Sequence, residues 1–519
     1  MTVIQPQRDL QVASPFLLGF VDFSEFLSKN TLIFGVCIVK LYYLFEKGVF
    51  MQTIKKQYGI WTGIAMVIGI VIGSGVFIKA GGVLSSSGGD LKLSLLAWFI
   101  GGLIMITSGF CFAIFATKVT KFNGVVDYVE VATNKKVGYF IAWTMTTLYY
   151  PIITAIVSLF AGHYFFRMFG LNYHYGDWQV LLFGFGLITI SVILNYFSPK
   201  ISAKFQVSAT VIKLIPIALV VVIGLFAGII VGPDFGIVNA LTGSAKTGVA
   251  NFGSAITTTA FAYEGWVCAT SINAELKDSK KNLPRALVWG TIAILVFYIL
   301  YYLSLSATLG NQGVIDAGAN APILVFEKIF GGFGGILFTL FITISCMGTV
   351  NGLIISSCRG MYTLSCRGQG ICPKKFSKLS SNGSTSFWSC VYGYACSVII
   401  LAFWALIFNN DWFGARFGAL DELVCAIIYA LYITMYVYII KEFKELSVFR
   451  RFIMPIIAII GSVFFTLCGT GVFSFITTGD TTGIVNFLFF IVVFIIFVGP
   501  SIFFYRKNPE IPSTDKDLK

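Results

Sequence analysis

Charge is what this chain has least of. Asp, Glu, Lys and Arg make up only 11% of its 519 residues, against about 25% in a soluble globular chain. That is too little to cover a water-facing surface, and apolar runs recur along almost the whole length. A soluble protein with a single anchor is excluded. Histidine is nearly missing too: His163 and His174 are the two in the chain, and neither is read as a metal ligand or catalytic base. The eleven cysteines form no Cys-x-x-Cys pair and no Cys/His ligand spacing, so neither a metal site nor a disulfide framework is indicated. Most of them sit inside apolar runs, where a free thiol behaves as a small hydrophobe. No intramembrane Ser/His or paired-Asp arrangement is visible either. The chain is therefore read as a non-enzyme without metal or cofactor.

Hydrophobic residues make up 57% of the chain, and its mean hydropathy is +0.86. Runs such as "SLLAWFIGGLIMITSGFCFAIFA" are long and do not alternate in polarity. A spanning helix needs about 20 apolar residues, whereas a barrel strand needs about 10 that alternate. The pattern predicts an all-α integral membrane protein embedded in a lipid bilayer. Twelve spans are expected, at about 60–87, 93–117, 137–166, 179–197, 202–230, 252–275, 286–309, 333–365, 386–408, 417–440, 452–475 and 484–505.

The net charge of +13 does not point to nucleic acid, since no basic-aromatic patch accompanies it. Lysines and arginines instead gather in alternate loops, among them Lys118, Lys121, Lys200, Lys204, Lys277, Lys280, Arg367, Lys374, Lys441 and Lys444. The positive-inside rule then places both ends of the bundle in the cytoplasm of a multi-pass cell-membrane protein. Residues 1–50 stand apart, and "MQTIKKQYGIW" from Met51 reads as a natural start. The first fifty residues are expected to be an appendage of unknown role or a mis-called start.

Two spans interrupt themselves. In "VIGIVIGSGVFIKAGG", Gly73, Ser74 and Gly75 fall where the bilayer is thickest, although glycine weakens a helix interior by about 1 kcal/mol. In "GSAITTTAFAYEGWVCATSINAEL", Glu264 and Gly265 do the same. Non-helical backbone at membrane depth survives only when buried in protein or lining a cavity. Paired interruptions in two halves mark a transporter site; glycines that merely let helices approach are the competing explanation, which Gly101, Gly102 and Gly331–Gly335 fit as well. At such a break one half-helix offers N–H groups suited to a carboxylate, and the other offers carbonyls suited to an ammonium group. An α-amino acid carries both on one carbon.

Lys213 lies nine residues past Lys204, about 13 Å along a helix. An ionisable group at that depth is a functional candidate, though it could also reach the inner interface beside Pro216. Glu264 could read a cationic side chain, bond a hydroxyl, or be protonated and structural. Asn351 is read as glue between helices, and Asp421 and Glu422 as solvated near the outer face.

"IGIVIGSGVFI", "FAYEGWVCATSINAELKDSKKNLPRAL" and "SCMGTVNGLIISSCRGMYTLSCRGQGICPKKFSKL" resemble the amino acid–polyamine–organocation (APC) superfamily, and within it the branch of L-type amino acid transporters and bacterial serine/threonine exchangers. The similarity covers roughly residues 55–505. It implies the LeuT-type fold: a 5+5 inverted repeat with helices 1 and 6 broken, plus two extra C-terminal helices. In this chain that gives a permease domain at 51–508, with repeats at 60–230 and 252–440, last helices at 452–505, and a cytoplasmic tail at 509–519. Carried over by position, Gly73, Ser74 and Gly75 would meet the substrate carboxylate, and carbonyls at Val71, Phe261 and Glu264 its amine. Phe261 would cover the substrate, and Tyr263 would stand beside it. Lys213 would replace the cation of sodium-coupled relatives, implying a sodium-independent exchanger or permease that moves small or neutral L-amino acids by alternating access. Proton symport, a cationic amino acid or amine as substrate, and a channel or receptor remain alternatives. The loop "RMFGLNYHYGDW" lacks the cysteine that links such transporters to a heavy subunit, so no disulfide-linked partner is expected.

Overall fold

The computed structural model describes residues 58–507 except 74, 120–123, 244, 246–251, 381–384, 419 and 480, together with residue 509. The expected appendage at 1–50, almost all of the C-terminal tail and Ser74 lie outside the described residues. Among the described residues the architecture is helical throughout, without a β-strand. The chain runs through α1 (Ile60–Val71), α2 (Gly75–Ile78), α3 (Leu91–Lys118), α4 (Lys135–Thr144), α5 (Tyr150–Arg167), α6 (Trp178–Phe197) and α7 (Pro199–Leu225). It continues through α8 (Phe252–Ala262), α9 (Ser279–Ala317), α10 (Ala321–Cys366), α11 (Phe387–Asn409), α12 (Leu420–Glu442), α13 (Met454–Gly469) and α14 (Thr482–Val498).

Local sequence explains several boundaries. Asp90 caps α3 by accepting from Lys92 N–H at 2.7 Å and Leu93 N–H at 3.2 Å, and Asn134 caps α4 in the same way. Between α4 and α5 the backbone widens into a π turn, Met145–Tyr149. Pro151 accounts for it: proline has no N–H to give the Thr147 carbonyl one turn back, and its ring crowds that carbonyl. The helix absorbs both problems by adding a residue to the turn.

Ten stretches among the described residues are long and apolar enough to cross a membrane. Two departures separate this from the expected twelve. The sixth span, 252–275, is split into α8 and the 3₁₀ helix Trp266–Glu275, each too short to count. Residues Ser279–Cys366 form one continuous stretch that is counted once, although its backbone turns sharply at Gly310 and Gly331. The apolar side chains turn outward as lipid requires: Ile190, Val211, Ile399, Ile460, Ile495 and Ile496 are all exposed.

The buried centre surrounds the interrupted segments. α1 packs against α7, α9, α10 and the 3₁₀ helix, and α3 packs along α9. Tyr58, just ahead of α1, pairs in parallel with Leu276 just past the 3₁₀ helix, with Tyr58 N–H donating to Glu275 O at 3.0 Å and Lys277 N–H to Tyr58 O at 2.9 Å. The two broken segments are therefore tied together at one end of the bundle. Asn351 bonds across three helices, to Asn195 of α6 at 3.1 Å and to Ser202 and Gln206 of α7 at 2.9 and 3.1 Å.

Candidate functional site

The first interruption is short. Ile72 N–H makes the last helical bond of α1, to Ile68 O at 2.8 Å; Gly73 N–H folds back onto Val71 O at 2.7 Å, and helix resumes at Gly75. A helix ending in this way leaves its last carbonyls without donors. Three neighbouring helices supply them. From α7, Lys213 Nζ lies 2.6 Å from both Gly69 O and Ile72 O, 3.0 Å from Ser345 O and 3.3 Å from Thr349 Oγ1. From α10, Ser345 Oγ donates to Ile72 O at 3.2 Å, and Thr349 Oγ1 lies 3.3 Å from Gly69 O and 3.4 Å from Ile70 O. From α9, the Tyr298 hydroxyl lies 2.9 Å from both Val71 O and Ala262 O, bridging the two interrupted helices with one proton. Lys213 is wholly buried, so it does not reach the interface. Among the described residues no carboxylate pairs with it. The negative end of the α1 dipole and its bare carbonyls compensate the ammonium instead.

The second interruption is longer and differently made. α8 ends at Ala262; Tyr263 N–H still reaches Thr259 O at 3.1 Å and Glu264 N–H reaches Phe261 O at 3.3 Å. Gly265 then adopts φ +105°, a left-handed conformation that favours glycine. Ten residues of 3₁₀ helix follow, where runs beyond three or four residues are uncommon and mark hinges or strain. The Glu264 carboxylate accepts from the Tyr149 hydroxyl at the end of the π turn. The Gly265 amide also faces the carboxylate, yet Oε2 is buried without completing a hydrogen bond. The Trp266 indole donates to the Tyr429 hydroxyl at 3.1 Å.

The two breaks touch. A methyl group on Gly75 would stand 2.7 Å from Ala262 Cα, and one on Gly265 would stand 2.6 Å from Ile70 Cγ2. At one end the contact is roofed by Phe261. Lys79 Nζ sits 5.2 Å above its ring and 2.8 Å from Glu422 Oε1 of α12, with both charged side chains about a quarter exposed (23% and 26%). Asp421 beside them is buried. The solvated role expected for Asp421 and Glu422 is thus corrected: a basic residue across the bundle draws Glu422 into an ion pair. At the other end Arg359 pairs with Glu275 at 2.5 Å with both side chains buried (6% and 4% exposed), and its Nη2 lies 3.4 Å from the Tyr58 hydroxyl. Arg367 joins Asp127 and Glu130 nearby. Between this end and the second break lies a small cavity of about 30 Å³, lined in part by Met145, Thr146, Tyr150, Ser271, Ser356 and Arg359.

The structure therefore gathers Val71, Gly73, Gly75, Phe261, Glu264 and Lys213 around one contact between broken helices. Ser74 lies outside the described residues. Tyr263 turns away: its hydroxyl donates to Trp98 O of α3 at 2.8 Å, and its ring packs on Trp98 and Tyr298. Sequence reasoning missed Tyr149, Tyr298 and the Lys79–Glu422 pair. The Pro151 that bends α5 was the available signal for Tyr149; nothing local singles out the others.

Two unwound helices in contact inside an apolar bundle, with an ion pair at either end, fit a multi-pass membrane permease. Residues 58–500 match the family described as amino acid permease, and the chain belongs to this family, in the APC branch of serine/threonine exchangers and L-type transporters. It is 31% identical over 418 residues to the serine/threonine exchanger SteT of Bacillus subtilis (strain 168), a match covering 79% of this chain and 90% of that protein. It is 24% identical over 315 residues to the cystine/glutamate transporter of Homo sapiens (61% and 62% covered). With the Asc-type amino acid transporter 1 of Mus musculus it shares 25% over 308 residues (59% and 57%). These relatives are transporters, which points to a non-enzyme role in amino acid transport.

Proposed function

We propose that the protein is a sodium-independent transporter of small or neutral L-amino acids, working by alternating access and most simply as an exchanger. The observation that carries sodium independence is the position of Lys213. Its ammonium lies among Gly69 O, Ile72 O, Ser345 O and Thr349 Oγ1, a cluster of oxygens between the first break and α10 that would suit a bound cation. A fixed charge there takes over what a sodium ion would otherwise supply. The substrate carboxylate is directed to the start of α2, where N–H groups and a positive dipole end converge. Its amine is directed to carbonyls of Val71, Phe261 and Glu264. The name of the SteT relative favours a small hydroxyl-bearing substrate. The bare Glu264 Oε2 also favours, as the second reading, a cationic amino acid.

In this reading the helices form the twelve-helix 5+5 inverted repeat with two added C-terminal helices and both ends of the domain cytoplasmic. Lys79–Glu422 closes the outer side and Arg359–Glu275 the inner side. The loop at 167–178, without cysteine, is consistent with transport independent of a disulfide-linked subunit.

The test is uptake of labelled serine into proteoliposomes loaded with unlabelled serine, with choline replacing sodium, and with leucine, arginine and glutamate as competitors. Sodium-free uptake that requires internal amino acid is the expected result. A strict sodium requirement would overturn the Lys213 argument. Uptake driven by a proton gradient without internal substrate would replace exchange with symport.

A further inference from the structure

The π turn Met145–Tyr149 does one specific thing: it delivers a phenol to the carboxylate of the second break. An added residue in a helical turn rotates everything after it by about 100°, so the side chains flanking Pro151 face differently than an unbroken helix would place them. Tyr149 is fully buried, and its hydroxyl donates to Glu264 Oε1. The other oxygen, Oε2, is buried without a completed hydrogen bond, and so is the hydroxyl of Tyr432, whose ring lies 6.2 Å from that of Trp266. Buried polar atoms are nearly always partnered, and an exception calls for an absent partner. Two such atoms flank one break in a permease, which points to a polar group that arrives with the substrate.

We propose that Tyr149 is a specificity-determining residue that holds Oε1 of Glu264 and leaves Oε2 as the oxygen presented to the substrate side chain. A guanidinium binds a carboxylate best through two parallel bonds that use both oxygens. With Oε1 already accepting from the buried Tyr149 hydroxyl, the fork must share that crowded oxygen and binds at a disadvantage. A hydroxyl needs one partner, and Oε2 offers one. Among the described residues no cation forms an ion pair with Glu264, so a neutral hydroxyl also matches a carboxyl group whose surroundings give it no fixed countercharge. Tyr149 thus favours serine- or threonine-like side chains over arginine-like ones. This rests on the amino acid transport reading above.

The experiment measures labelled serine, alanine and arginine uptake in parallel into proteoliposomes of wild type, Tyr149→Phe, Glu264→Ala and the Tyr149→Phe/Glu264→Ala double variant. Ratios within one preparation do not depend on how much protein is active. Tyr149→Phe frees Oε1 and is expected to raise the arginine-to-serine ratio about tenfold, the effect of one charge-assisted hydrogen bond. The double variant is expected to lose that gain, and Glu264→Ala to bring the serine-to-alanine ratio close to one. An unchanged arginine-to-serine ratio in Tyr149→Phe overturns the proposal, as does a gain that survives in the double variant. If Tyr149→Phe does not fold, Glu264→Ala decides alone: an unchanged serine-to-alanine ratio overturns the proposal and a collapsed one supports it. Wild-type protein that moves no amino acid defeats the transport reading itself, a different result from a transporter with unaltered ratios.

Discussion

The two broken helices solve one problem in opposite ways. At the first, the bare carbonyls of α1 are met by side chains from α7, α9 and α10, with Lys213 at the centre. At the second, a carboxyl group stands in the break, the Tyr149 phenol donates to one oxygen, the Gly265 amide faces the group, and Oε2 is left without a completed hydrogen bond. A cation braces one break and an acid occupies the other. The first has carbonyls of its unwound end braced by side chains from within. The second retains unmet bonding capacity and a long, weakly bonded 3₁₀ exit, which suits the part that must adapt to what is bound.

Removing the brace should do most damage. Lys213→Ala strips the charged donor from Gly69 O and Ile72 O, leaving them the longer hydroxyl contacts of Thr349 and Ser345, and each hydrogen bond to a charged group that is lost costs about 1.5–3 kcal/mol. Transport should fall at least about a hundredfold, with a lower unfolding temperature. Partial recovery of uptake on adding sodium would identify the vacated oxygens as a cation site, and near wild-type uptake in choline would sink the comparison. Gly75→Ala comes next. Its added methyl meets the Ala262 backbone at 2.7 Å and should cost about 1–3 kcal/mol, read as a tenfold or greater loss of uptake with surface expression retained. Tyr298→Phe removes the hydroxyl shared by Val71 O and Ala262 O, worth about 0.5–1.5 kcal/mol. Because it serves both breaks, serine and alanine uptake should fall together by a few-fold; a loss confined to one substrate would show that the breaks are read separately. Smallest is Glu422→Gln. The quarter-exposed pair it breaks is worth at most about 1 kcal/mol, and the charge-reversed pair Lys79→Glu/Glu422→Lys should restore the Vmax that Glu422→Gln lowers.

Much of this was legible before any coordinates. Glycine beside serine, and glutamate beside glycine, cannot sit quietly inside spanning helices, so both breaks announced themselves. Lys213 did so by its distance from the nearest loop. Counting helices was harder, because a helix that unwinds at its middle no longer has the length on which counting relies. Partners across the bundle were illegible for a simpler reason: 343 residues separate Lys79 from Glu422, and nothing in either neighbourhood names the other. Glu422 therefore read as a surface acid. Tyr298 and Tyr149 were lost among 23 tyrosines.

The unequal burial of the two end ion pairs carries a last consequence. A partly wetted ion pair, such as Lys79 with Glu422, loosens as ionic strength rises, whereas a buried pair, such as Arg359 with Glu275, is screened far less. When the buried pair does separate, water that rehydrates both charges returns much of what the pairing supplied, so a door hidden from salt is not thereby a heavy one. On the proposed reading, in which the two pairs close opposite sides, the carrier has an orientation that its surroundings can tune. Brine on the proposed outer face would tilt the resting population toward opening on that side, and the same salt on the other face would leave it nearly where it was.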